Sequence, residues 1–157
     1  MALIKDQASE YNEYATKKMN SITEHKYFAT IRAVDQALAT QMDPFNRGFY
    51  LHQQDVLSNA YGEVLIAYRH MKGKLFGYIA VRKLEMVVEA KLNKEKLPSN
   101  DALEDVISAE IIDVYNAMLI LRGWVERGKN SLQSCRSHTY GDGERPDKED
   151  SKDKEFD

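Results

Sequence analysis

The longest unbroken apolar register in this chain runs Ile107, Ile111, Val114, Met118, Leu121, Val125, Gly128, Leu132, Cys135, with steps of four and three alternating throughout. Side chains at that spacing line one face of an α-helix at the period of about 3.5 residues that belongs to helices packed along their length. An isolated helix gains little in water, so a face like this is stable only when neighbouring helices cover it. The segment 102–138 therefore predicts a protein built from long helices. The residues Ile107, Ile111, Val114, Met118, Leu121, Val125 and Leu132 are the expected contact surface between subunits or with a partner helix.

Two further segments show the same patterning. Tyr11, Ala15, Met19, Ile22 and then Ile31, Val34, Leu38 recur at helical spacing, with a weaker stretch at Thr23–Phe28. Asp43-Pro44 predicts the end of this first helix, because proline disfavours helical geometry in the residue before it. Phe45–Phe49 reads as a connector whose aromatic rings plug a helix end. Leu57, Tyr61, Val64, Tyr68, Met71, Leu75 then define a second helix from about Leu51 to Asn93, with Leu84, Val88 and Leu92 continuing its apolar stripe. Gly73 and Gly77 fall within it. Each costs about 1 kcal/mol against alanine in a helix, which leaves two readings, a close helix–helix approach or a bend. Close approach is the favoured one. Asp101 with Glu104 matches a capping pair at the start of the third helix. The three prolines fall between periodic segments, as helices require.

The expectation is an all-α fold: three long helices forming an antiparallel helical hairpin or bundle, the first an additional N-terminal helix. Residues 1–140 form one helical domain and 141–157 an acidic C-terminal tail. That tail holds eight acids against four bases and one large apolar residue, Phe156. It buries too little to offset the entropy of ordering, so disorder is expected there. A whole-chain charge of −3 then hides a body that is slightly basic. The start MALIKDQASEYNEY is polar by its fifth residue and reads as lacking a signal peptide. No apolar run is long enough to cross a bilayer, and the one cysteine cannot form an internal disulfide. The expected setting is cytoplasmic, with no membrane partner.

Catalytic chemistry finds little support. His25, His52, His70 and His138 are scattered, and no Glu-x-x-His pair is available for a di-iron bundle. Cys135 and His138 give two metal ligands where a closed zinc site needs four. Phosphate-binding glycine motifs are absent, and Ser131, Ser134 and Ser137 lack an evident base. The chain reads as a non-enzyme with no metal, cofactor or small-molecule ligand. The charged residues are more suggestive. Between Tyr61 and Lys96 there are eight bases against four acids, interleaved with aromatic rings. Arg69, His70, Lys72, Lys74, Tyr78, Arg82 and Lys83, joined by Arg122, Arg127 and Lys129 from the third helix, are the candidate nucleic-acid-binding residues. Lysine and arginine neutralise phosphates, and tyrosine faces stack on unpaired bases. An antiparallel turn near Pro98 would bring the two basic groups into one positive end. The competing reading makes these charges a solvated face and packs the tyrosines in the core.

The basic, tyrosine-bearing helix AYRHMKGKLFGYIAVRKLE is followed by the polar connector NKEKLPSND. An acidic-to-basic helix with a single tryptophan comes next, EDVISAEIIDVYNAMLILRGWVERGKNSLQSCRS. In this order the stretch from about Tyr61 to Tyr140 resembles the small phage recombination mediators of the UvsY type. The resemblance implies a helical homo-oligomer that helps load a recombinase onto single-stranded DNA covered by single-strand-binding protein. It implies DNA contact through Arg69, Lys72, Lys74 and Arg82, with the Ile107–Cys135 seam holding subunits together. The long N-terminal helix and the acidic tail depart from the compact pattern of that family. The alternative is a structural or protein-binding helical module, a phage assembly factor or an inhibitor of a host protein, working through its apolar seam. Either way Leu121→Asp, placing an unpaired charge in the seam, is expected to dissociate or unfold the protein. Melting temperature and solution mass check this.

Overall fold

The computed structural model describes residues 3–24, 26–40 and 47–140. The connector before residue 47 and the acidic tail lie outside these, and with them the expectations for Asp43-Pro44, Phe45 and a disordered end. Among the described residues the chain is all-α, with no strand. A single 3-10 turn, Ile4–Gln7, precedes five helices: α1 Ala8–Thr23, α2 Lys26–Ala39, α3 Arg47–Leu92, α4 Asn100–Glu110 and α5 Ile112–Tyr140.

Five helices replace the three expected because two of the three are interrupted. The first breaks between Thr23 and Lys26, inside the weakly patterned stretch. There the Thr23 hydroxyl donates to the Asn20 carbonyl at 2.8 Å, a local bond that competes with helix continuation. The third breaks at Ile111, whose φ of −121° and ψ of 42° leave the helical region. The cause is the Asn12 side chain from α1. Its Nδ2 donates to the Glu110 carbonyl at 2.9 Å. Its Oδ1 accepts from the backbone N–H groups of Asp113 and Val114 at 3.2 and 3.4 Å. One amide thus ends α4 and caps α5, the inserted side chain that a sharp kink requires. The start of α4 also differs from expectation. Ser99, not Asp101, is the cap, its hydroxyl accepting from Ala102 N–H at 3.1 Å, while Asp101 lies in the first turn.

In contrast, α3 runs unbroken for 46 residues, roughly 69 Å at 1.5 Å per residue. No other helix of the same chain comes close at Gly73 or Gly77: a Cβ at either would meet nothing within 4 Å. The helix is uninterrupted at both, and the close approach expected of them is not made within the chain. The helix ends with Glu95 N–H bonded to the Ala90 carbonyl at 2.9 Å and Lys94 in the left-handed region at φ 57°.

The chain divides into two compact units. One comprises Met1–His25 and Gly62–Val125, the other Lys26–Tyr61 and Glu126–Asp157. In the first, α1 packs on the later part of α3, with Tyr11 meeting Tyr78 edge-on at 6.0 Å between centroids. The contacts Tyr78–Glu110 and Lys83–Glu104 show α4 running back along α3. Its core holds Met71, Leu75, Ile107, Ile111, Val114 and Leu121, each at most 1% exposed. In the second unit Val34, Ala37, Tyr50 and Cys135 form a cluster with Leu38 and Phe49 against it. The Tyr50 ring stacks on His138 at 4.3 Å. Every seam residue from Ile107 to Cys135 is buried within the single chain.

Gly128 marks the tightest approach in the second unit. A Cβ there would lie 2.9 Å from both Tyr27 Cζ and Tyr61 Cδ2, so a ring would have to shift to admit it. Gly128→Ala is expected to destabilise by about 1–3 kcal/mol, the usual cost of overpacking, despite alanine's better helix propensity. Gly123→Ala meets open space and is expected to raise stability slightly. Thermal denaturation of the two variants checks the contrast.

Candidate functional site

The proposed nucleic-acid residues separate into three groups. Tyr78 and Arg82 are interior, 1% and 4% exposed. Arg82 Nε donates to Glu110 Oε1 at 2.9 Å and its Nη2 to Oε2 at 3.0 Å, a bidentate pair. Tyr78 Oη donates to the same Oε1 at 2.7 Å. Arg82 Nη1 also lies 3.5 Å from Glu85 Oε1, and Glu85 Oε2 accepts from Ile4 N–H at 2.6 Å. One carboxylate therefore gathers α3 and α4, and a second ties down the N-terminal turn. A guanidinium so placed is committed to the fold and does not reach a phosphate.

The second group is engaged at the surface. Lys83 Nζ meets Glu104 at 3.2 Å, and Lys129 Nζ stands 4.0 Å from Glu126. Lys74 Nζ sits 5.1 Å and 4.8 Å above the Tyr11 and Tyr14 rings, and Lys72 Nζ 5.7 Å above Tyr68. The third group, Arg69, His70, Arg122 and Arg127, is exposed. The ten are divided between the two units. Arg127 and Lys129 belong to the second unit and the other eight to the first. Within the first unit the pairs Tyr78–Glu110 and Lys83–Glu104 set the register of the two strands of helix. Carried along α3 and α5, that register puts Arg122 level with Ile66, roughly 10 Å from Lys72 and Lys74 at 1.5 Å per residue.

The electrostatics of the Glu110 centre follow from its contacts. Burial pushes the Glu110 carboxyl up, but hydrogen bonds from Arg82 and Tyr78 and the Arg82 charge outweigh it, and the net shift is downward. The hydrogen bond to Glu110 holds Arg82 above its ordinary value against the opposing effect of burial. Burial and then the Glu110 hydrogen bond push the Tyr78 phenol upward. Each partner is held in the charge state that the pair requires, and none is poised to exchange a proton near neutrality. In the second unit burial pushes the Cys135 thiol up to about 11, so it packs as a small, protonated filler. His138, three residues on, places Nδ1 2.9 Å from the Ser134 carbonyl. Among the described residues no group of three or more His, Cys, Asp or Glu side chains could hold a metal ion. No described helix is long and apolar enough to cross a membrane. A shallow polar hollow of about 210 Å³ lies beside Asp35, Arg127, Asn130 and Ser131 in the second unit.

The seven seam residues proposed as an interface face the interior of their own chain. The surface that sequence reasoning missed lies on α3. Val81, Leu84, Val88 and Leu92 are 43%, 67%, 53% and 78% exposed, and with Leu3 they line a groove of about 470 Å³. The sequence reads Leu84, Val88 and Leu92 as continuing the apolar stripe of Leu57 to Leu75. The inward positions are instead Met71, Leu75, Tyr78, Arg82 and Ala90. Both sets have helical spacing, and only the acid at Glu110 tells that Arg82 belongs inside.

No family model matches this chain, and neither a curated protein nor a solved structure matches it. The likeness to recombination mediators therefore rests on the residue pattern alone.

The centre at Glu110 yields a test. Glu110→Gln removes the charge opposite buried Arg82 and is expected to cost about 3 kcal/mol, as breaking a buried pair does. The sign of its pH dependence is fixed by the lowered carboxyl. A folded-state value below the unfolded one adds stability above the unfolded value, and that stability is lost as pH falls through the folded one. Urea denaturation across the acid range should show wild type losing more stability than Glu110→Gln.

Proposed function

We propose that this protein is a non-enzymatic helical interaction module, a structural or protein-binding element that acts by assembly. One observation carries this reading: a row of large apolar side chains, Val81 to Leu92, stays on the surface of a chain whose own seam is already covered. Monomeric proteins seldom leave a contiguous apolar face of this kind, and such faces mark protein contacts. The pairing of buried Arg82 with Glu110 also favours it, because Arg82 is one of the four DNA contacts that the resemblance implies. The row replaces the Ile107–Cys135 seam as the working surface. A free, buried cysteine suits a reducing compartment such as the cytoplasm.

A second reading keeps the recombination-accessory role, with single-stranded DNA, a recombinase or single-strand-binding protein as partners. Its support is the exposure of Arg69, His70 and Arg122 within one unit, beside Lys72. Sedimentation of the full chain with and without a labelled single-stranded oligonucleotide, at low and high salt, separates the two. An assembly whose mass is indifferent to DNA is the expected result. Binding that weakens steeply with salt, and weakens further in Arg69→Ala with Arg122→Ala, would overturn the module reading in favour of the second.

A further inference from the structure

The exposed face of α3 has an order that the mere presence of apolar residues does not explain. Gly73, Gly77, Val81, Leu84, Val88 and Leu92 are all exposed, and their spacing is four, four, three, four, four. That series reads the same in both directions. It places small residues at one end and bulky ones at the other, and a Cβ at Gly73 or Gly77 would find nothing within 4 Å. We propose that this face binds a second copy of the chain, α3 against α3, antiparallel about a two-fold axis between Leu84 and Val81.

In that pairing the two outer bulky side chains of each copy meet a vacancy. Leu92 of one copy falls opposite Gly73 of the other, Val88 opposite Gly77, and Leu84 opposite Val81. A two-fold contact uses the same patch on both subunits, so a self-complementary series is what an isologous interface needs. The glycines let the backbones approach while the leucine and valine side chains fill the space above them. Charged side chains stand at the edge of this face, with Glu85 and Glu89 lining the groove beside Val88. The contact covers both sets of side chains at once, including Leu84 and Leu92, which are 67% and 78% exposed in the single chain. That gives the interface an apolar centre with charges at its rim. The pairing also explains two glycines within a helix that gains nothing internally from either of them.

The proposal deepens the module reading and rests on it, and sedimentation of the full chain tests it. The expected mass is twice the 18.0 kDa of one chain, falling toward one chain on dilution. Leu84→Glu with Val88→Glu should give a monomer of unchanged helicity, since both positions are exposed. Gly77→Leu is the sharper variant. The single chain has open space there and should tolerate it, whereas the pair loses the vacancy for Val88 and should dissociate at least tenfold more readily. Oxidised Gly77→Cys with Val88→Cys should form a covalent dimer. Val88→Cys alone should not, because the two copies of position 88 would stand roughly 16 Å apart, beyond disulfide reach. A wild-type monomer at every concentration overturns the pairing. So does a dimer that Gly77→Leu leaves intact, although that result leaves the module reading standing. DNA-driven sedimentation would instead sink the module reading itself.

Discussion

The first unit is organised by the carboxylate of Glu110. An arginine taken out of water is tolerated only with a partner of good geometry, and Arg82 has one acid in two-point contact and another nearby. Tyr78 shares the same acid from the preceding turn of α3. The Glu110 carbonyl, meanwhile, accepts from Asn12, whose side chain also caps α5. One residue thus binds α3 by its side chain and α1 by its backbone, at the point where α4 gives way to α5. The consequence reaches the surface. With Tyr78 and Arg82 turned inward, the rotation of α3 is fixed, and the neighbouring stripe of Val81, Leu84 and Val88 must face outward. The exposed apolar row and the buried ion pair are two results of one helix orientation.

The second unit relies on different physics. Its described interior holds no comparable ion pair. Tyr27 crosses over Gly128, the Tyr50 ring lies flat on His138, and Cys135 fills the space beside Val34. Shape decides this packing, so it is sensitive to volume. The first unit is the reverse, tolerant at its open glycines and sensitive to the charge on one carboxylate. The candidate working surface sits on that first unit, on the helix the acid orients.

Much of the fold was legible in the sequence because burial and period agree there. From Ile107 to Cys135 every seam residue is buried, and from Leu57 to Leu75 the stripe on α3 also points inward or lies half-buried. Legibility ended where a polar contact outranked the period. After Tyr78 two stripes share helical spacing. The greasier one reads as core, but the one containing Arg82 is core, because its acid partner comes from a segment 28 residues later. The kink at Ile111 was hidden for the same reason, since it depends on Asn12, about 100 residues away. At the start of α4 Ser99 is a good cap in its own right and precedes the Asp101–Glu104 pair. Which of the candidate charges are exposed and which are paired is not written in composition. Lys74 looked free and lies over two tyrosine rings. Gly73 and Gly77 were noticed, but their meaning depended on whether anything stood beside them, and nothing does.

The central claim is that Arg82 and Glu110 act as one unit that orients α3. A double-mutant cycle with Arg82→Met and Glu110→Leu, read by urea denaturation, tests it most directly. Each single change strands a buried charge, whereas the double change removes both. The account predicts a double variant more stable than either single one, with a coupling of about 2–3 kcal/mol. Losses that simply add would contradict it.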